Sequence, residues 1–196
     1  MNYYNNKKFY TSAIKLYGTS AKGVNWHSKQ TQNIRFKTIL EMLPSDISTS
    51  TLADAGCGFG DFYNYMLKKE KTPSFYIGLD FIDDMVSIAI QKTGQEILLA
   101  NICKDKLPKQ DYYVCSGALN TLSKFDTFLF IQNCYSTCKK GFIFNILYGD
   151  KESETYNYMN KEQIEQIAKE LHVDKVTYEL GYLADDISVG FFKDNS

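Results

Sequence analysis

Apolar positions along the chain switch repeatedly between strand-like runs and helix-like spacing, and the switches mark out alternating elements. A short apolar run, Thr51-Leu52-Ala53, ends at Asp54. Phe62, Tyr63, Tyr65, Met66 and Leu67 then follow as a short helix closing on Lys68, Lys69 and Lys71, where positive charge suits a helix C-terminus. Residues 75–80 form a second apolar run ending in Asp80, and Asp83 and Asp84 cap a helix through Met85, Val86, Ala89 and Ile90. Runs at 96–100, 111–116 and 140–147 predict three more strands, with a helix before the last whose face is Phe125, Phe128, Leu129, Gln132 and Tyr135. Upstream, Ile34, Ile39, Leu40 and Leu43 predict a helix over 31–43, stopped by Pro44. Downstream, Asn160 and Gln163 read as a capping box for a helix with Ile164, Ile167, Ala168 and Leu171 on its apolar stripe. The last strands, 173–182 and 187–192, are joined by so short a connector that they form an antiparallel hairpin. The alternation predicts a three-layer α/β fold, a seven-stranded, mostly parallel sheet whose last strand is antiparallel.

Composition narrows the picture. A chain of 196 residues, 44% of them hydrophobic, suits one domain over 1–196, with an aromatic arm or lid at 1–28 and a core at 29–196. The arm carries Tyr3, Tyr4, Phe9, Tyr10, Tyr17 and Trp26. Lys and Arg number 22 against 23 Asp and Glu, with no run of either sign, which disfavours nucleic acid and membrane surfaces as partners. No apolar run approaches the roughly 20 residues a bilayer needs, and no h-region follows the start, so a cytoplasmic location is expected. Five cysteines, an odd number, read as reduced thiols; Cys134 and Cys138 share a helix face without the partners of a zinc set, and no metal is expected. His172 reads as a helix-end cation.

The candidate chemistry is concentrated at Asp54-Ala55-Gly56-Cys57-Gly58-Phe59-Gly60-Asp61. Glycine accepts positive φ and lets a ligand lie against bare peptide, and the helix start beyond presents unpaired N–H groups. Dinucleotide sites use G-x-G-x-x-G, with a small residue last under a pyrophosphate. Here Asp61 holds that position and Gly60 comes one residue early. A carboxylate repels a pyrophosphate but suits a ligand carrying a sulfonium and an ammonium.

The successive βα steps, the closing hairpin, Asp-x-Gly-x-Gly-x-Gly after the first strand and the acid ending the second resemble class I S-adenosylmethionine-dependent methyltransferases, over nearly the whole chain. Within them, Trp26-His27-Ser28-Lys29-Gln30-Thr31-Gln32 with Arg35-Phe36, Ser116-Gly117-Ala118-Leu119-Asn120, and Tyr182-Leu183-Ala184-Asp185-Asp186 look like a group of small bacterial enzymes whose substrates are mostly unassigned. The resemblance implies a Rossmann-like methyltransferase fold, S-adenosylmethionine as cofactor and S-adenosylhomocysteine as product. It implies that Asp80 accepts hydrogen bonds from both ribose hydroxyls. Gly56, Cys57 and Gly58 would lie along the methionine part, with Asp54 orienting the turn and the ammonium. Phe81 and Met85 would flank the adenine, and Asn101 with the Ile102 backbone would meet its polar edge. Ser116 and Gly117 would lie near the methyl group, Arg35 would pair with the cofactor carboxylate, and Trp26 would cover the site.

The implied reaction is direct displacement, without metal, by an acceptor atom that is O, N, S or C. A general base, where one is needed, would come from His27, Tyr182 or Asp185. No Asn/Asp-Pro-Pro-Tyr/Phe or Pro-Cys motif is present, and the near-neutral charge also disfavours nucleic acid. A small metabolite is the expected acceptor, held by the N-terminal aromatics and the 148–158 loop. The other readings are a protein methyltransferase, a non-catalytic binder of S-adenosylmethionine or S-adenosylhomocysteine, and an NAD-dependent dehydrogenase.

Overall fold

The computed structural model describes residues 28–194, together with Thr11, Ser12 and Gly18. The aromatic arm, Trp26 and His27 included, lies outside the described residues. In chain order the elements are α1 (Lys29–Met42), β1 (Thr51–Ala55), α2 (Asp61–Lys68), β2 (Phe75–Asp80), α3 (Asp83–Thr93), β3 (Glu96–Leu99), β4 (Tyr112–Ser116), α4 (Lys124–Thr137), β5 (Gly141–Tyr148), β6 (Tyr158–Met159), α5 (Lys161–Glu170), β7 (Lys175–Leu180) and β8 (Asp186–Phe192).

The sheet runs β3-β2-β1-β4-β5-β8-β7. All pairs are parallel except those of β8, which is antiparallel to both β5 and β7. Two-residue β6 pairs Leu147 and Tyr148 of β5, beyond the point where β4 ends opposite Asn145. It was not expected, because two residues are too few to show a strand period.

Alternation along the central strands sorts side chains to two faces. Leu52, Tyr76, Val114 and Ile143 pack with Phe36 and Ile39 of α1, Phe62 and Met66 of α2, and Ala89 of α3. Their neighbours Ala53, Ile77, Tyr113, Phe142 and Phe144 pack with Phe130 and Ile131 of α4 and Ile164 and Ile167 of α5. Helices thus cover both faces, as a mostly parallel sheet requires. Among the described residues no helix is long and apolar enough to cross a membrane.

Three local expectations change. Helix α1 starts earlier than residue 31, because the Ser28 hydroxyl accepts from the Thr31 N–H at 3.1 Å and caps it. Asp83 and Asp84 are not caps: they sit in the first turn of α3, where their charge suits the helix dipole, while Ile82 holds the cap position without a side-chain bond. The buried face of α4 is Thr127, Phe130, Ile131, Cys134 and Tyr135, and Phe125 is 69% exposed. Apolar and polar residues are mixed around that helix, so aromatic positions alone do not single out its inner stripe; Thr127 lies inside because its hydroxyl accepts from Asn157 Nδ2 at 2.9 Å. The capping box at Asn160 and Gln163 forms in both directions.

Candidate functional site

Strand order reverses between β1 and β4, and in open α/β sheets the crevice beyond such a reversal is where ligands bind. A cavity of about 530 Å³ opens there. Its floor is the turn after β1. The N–H groups of Gly56 and Cys57 both donate to the Leu79 carbonyl, at 2.7 and 3.0 Å, which stitches the turn to the end of β2. Gly56, Gly58 and Gly60 have φ of 76°, 54° and 74°, the left-handed region. Gly56 also needs to be bare for space: a Cβ there would come within 2.5 Å of Ala118 Cβ, so the turn packs directly on the short 3₁₀ segment Ala118–Thr121 after β4.

Two carboxylates end the first two strands. Asp80 is 5% exposed and accepts from the Gly58 N–H at 2.9 Å and the Ile82 N–H at 3.0 Å. Burial lifts its pKa to about 6, although those backbone donors pull it down. Asp54, 2% exposed, accepts from the Tyr76 hydroxyl at 2.8 Å, and burial lifts it to about 7 against that bond. Burial also pushes the Cys57 thiol well up, so it stays neutral, packed beside Gly78 of β2. Asp61 opens α2 and is met by Lys29 at 3.5 Å, Lys92 at 3.6 Å and Gln32 Nε2 at 3.3 Å.

Beyond Asp80 the wall is apolar, with Phe59, Ile82 and Met85 packed together and Phe81 against them. Asn101 closes that side; its Oδ1 accepts from the Cys103 N–H at 3.1 Å. On the opposite side Arg35, 9% exposed, donates from Nε to Asp186 Oδ1 at 2.9 Å and from Nη2 to Asp186 Oδ2. This pair ties α1 to the start of β8. Asp185 also lines the cavity, with Lys151 Nζ 2.7 Å from its carboxylate.

The structure therefore brings to one cavity Asp54, Gly56, Cys57, Gly58, Asp80, Phe81, Met85, Asn101, Ile102, Ser116, Gly117, Arg35 and Asp185. Tyr182 is not among its lining residues; its hydroxyl accepts from Ser188 Oγ at 2.8 Å, and burial pushes the phenol up. Trp26 and His27 lie outside the described residues. Gln32, Phe59, Ile82, Tyr156 and Asp186 line the cavity without having been singled out as site residues. Phe59 and Ile82 sit inside or beside the motif and were within reach of a local reading. Asp186 was not, since nothing in sequence joins it to Arg35. Cys134 and Cys138 are buried in the apolar core, and among the described residues no three His, Cys, Asp or Glu side chains are grouped to hold a metal.

This strand order, with helices on both faces and only β8 reversed, is the Rossmann-like fold of class I S-adenosylmethionine-dependent methyltransferases. Solved structures with this fold include magnesium protoporphyrin IX methyltransferase from Synechocystis PCC 6803 with bound S-adenosylhomocysteine, at a TM-score of 0.71 over 97% of both chains and 14% identity. An S-adenosylmethionine-dependent methyltransferase from Leishmania major matches at 0.70, over 94% of this chain and 83% of that one, at 18% identity. Human N-acetylserotonin methyltransferase in complex with S-adenosylmethionine matches at 0.64, over 98% of this chain and 66% of that one, at 13% identity. No family model matches the sequence, and no curated protein sequence matches it.

Proposed function

We propose that the protein is an S-adenosylmethionine-dependent methyltransferase acting on a small molecule. The observation that carries this reading is a bare glycine turn beside two buried carboxylates, Asp54 and Asp80, which among the described residues have no cationic side chain paired with them, whereas Asp61, Asp185 and Asp186 each have one. A pyrophosphate would be repelled there, whereas a ligand with an ammonium and a sulfonium would be attracted. Two of the enzymes sharing the fold are named for small-molecule acceptors, magnesium protoporphyrin IX and N-acetylserotonin, which supports the same class of acceptor here.

Each residue's role follows from what the fold leaves it free to do. Asp80, held by the N–H groups of Gly58 and Ile82, keeps further lone pairs for two ribose hydroxyls. Asp54 offers a carboxylate to an ammonium. Phe81, Ile82 and Met85 supply an apolar wall for a purine, and Asn101, its amide oriented by the Cys103 N–H, offers its NH₂ as a donor to a ring nitrogen. Arg35 would reach a cofactor carboxylate only while sharing its guanidinium with Asp186. The cofactor supplies a methyl on a sulfonium, whose C–S electron pair stays on sulfur as the acceptor's lone pair forms the new bond. The chain's contribution is alignment and exclusion of water. Among the described residues Asp185 is the candidate base on the cavity wall.

Ligand-linked melting tests this reading. S-adenosylhomocysteine at 100 times its Kd should stabilise the protein by about 2.7 kcal/mol, and NAD should leave its Tm unchanged. Stabilisation by NAD alone would overturn it. Release of S-adenosylhomocysteine during incubation with S-adenosylmethionine and a metabolite pool then separates a transferase from a protein that only binds.

A further inference from the structure

At the far end of the cavity, where β4 and β5 finish, two side chains have their hydrogen-bonding sense fixed by the fold. Asn145 is fully buried, and its Oδ1 accepts from the Gly117 N–H at 3.0 Å. Its Nδ2 therefore faces Ser116 Oγ, 3.3 Å away. An amide NH₂ can only donate, so the Ser116 oxygen receives that bond and the hydroxyl hydrogen is directed elsewhere. Asn120 is fixed in the same manner. Its Oδ1 accepts from the Leu147 N–H at 3.1 Å, and a flipped amide would set NH₂ against N–H. The group left over is Asn120 Nδ2. Among the described residues the buried side-chain polar atom without a partner is Tyr178 Oη, so Asn120 Nδ2, to which no protein acceptor is assigned, borders open space. Asn120 and Ser116 both line the cavity.

We propose that the Ser116 hydroxyl and the Asn120 amide form a donor pair that selects an acceptor presenting an oxygen lone pair beside the site of transfer, as a carboxylate, enolate or carbonyl oxygen, and rejects a protonated amine there. The proposal rests on the methyltransferase reading and names the acceptor's chemistry within it. Both groups can donate to an oxygen with lone pairs, and the Asn120 NH₂ can pair with nothing that carries only N–H. A substrate ammonium leaves the Asn120 NH₂ unpaired, at a cost on the order of tenfold or more in affinity, while the Ser116 oxygen, with a lone pair left, does not discriminate. Three of the cavity's acids have a cation beside them: Asp186 has Arg35, Asp185 has Lys151, and Asp61 has Lys29 and Lys92. The pair is also rigid: the Asn157 N–H donates to the Asn120 carbonyl at 2.8 Å, and Gly56 packs on Ala118 between the two donors.

The test is NMR of the full chain saturated with S-adenosylhomocysteine, following the Asn120 side-chain NH₂ signals, which are identified by their loss in Asn120→Asp. Benzoate, acetophenone and benzylammonium, similar in size, are the probes. Benzoate and acetophenone should move those signals and benzylammonium should not. Asn120→Asp should weaken benzoate by about tenfold or more while S-adenosylhomocysteine affinity stays within about twofold, and Ser116→Ala should give a smaller loss. Movement of the signals by benzylammonium, silence with both oxygen probes, or an unchanged benzoate affinity in Asn120→Asp overturns the proposal. Failure of S-adenosylhomocysteine to bind would instead sink the cofactor reading, and the same titrations on the ligand-free chain would still read the donor pair.

Discussion

The two ends of the cavity are held by different means. At the β1–β2 end most of the fixing bonds come from the main chain: Gly56 and Cys57 donate to Leu79, and Gly58 and Ile82 donate to Asp80, with one side-chain bond, Tyr76 to Asp54, beside them, all within one βαβ step. At the β4–β5 end the fixing bonds run between side chains and distant segments, from Arg35 to Asp186, from Leu147 to Asn120 and from Asn157 to Thr127. A turn of backbone donors can serve one ligand in any protein with this fold. A set of side-chain contacts can be exchanged without disturbing the sheet, which suits the end that must meet a particular acceptor.

The largest break in this comparison is expected at the ion pair. Arg35→Met leaves Asp186, a side chain 3% exposed, buried beside a lost partner. The change should cost about 3–5 kcal/mol of unfolding free energy, and the double variant Arg35→Met with Asp186→Leu should recover most of it. Urea denaturation measures both. A loss for the single variant no larger than a surface pair's, about 1 kcal/mol or less, would show that the far end does not depend on this pair.

The same contrast explains what was legible in the sequence. Asp54 to Asp61 form one contiguous motif and Asp80 ends the next strand, so a local reading reaches both the turn and the acids that line the cavity beside it. The mostly parallel sheet and its closing hairpin followed from the alternation of apolar runs, and the capping box at Asn160 was readable from two residues. Arg35 was noticed, but its partner lies 151 positions away, and a period or a motif holds no information at that separation. The inner face of α4 was misread because the helix has no sharply apolar stripe and tertiary contacts, here Thr127 with Asn157, set which side turns inward. The orientation of the Asn120 amide was invisible for a further reason. It depends on which backbone group, Leu147 N–H, stands opposite, and β-register fixes that only once β5 is placed.

A smaller effect sharpens the role of the β1–β2 end. Asp80→Ala removes the acceptor proposed for two ribose hydroxyls and should weaken S-adenosylhomocysteine about 100-fold by calorimetry, the worth of charged hydrogen bonds. The Gly58 and Ile82 N–H groups lose their partner as well, so the turn should also loosen. Asp80→Asn keeps one acceptor oxygen and should fall between the two. An unchanged affinity in Asp80→Ala would remove the cofactor from this end of the cavity.

The smallest expected effect is a pH dependence with a definite sign. Burial lifts Asp54 to about 7 and Asp80 to about 6, both above the roughly 3.9 of an unfolded aspartate. The ligand-free protein therefore takes up protons on folding. The stability carried by these neutral carboxyls is full below about pH 4 and is lost as pH rises through about 6 for Asp80 and about 7 for Asp54. An ammonium bound beside Asp54 needs the ionised form, so binding below pH 7 must expel a proton. Affinity for S-adenosylhomocysteine should be level above about pH 7.5 and fall by about tenfold over the next unit below 7, with proton release visible as a buffer-dependent binding enthalpy. Tyr76→Phe removes the hydroxyl that holds the Asp54 pKa down, so the same fall should begin at higher pH. A profile that stays level through pH 6 would mean that the ligand's charge lies elsewhere than at Asp54, and the two ends of the cavity would then differ in their scaffolding but not in which of them receives the cation.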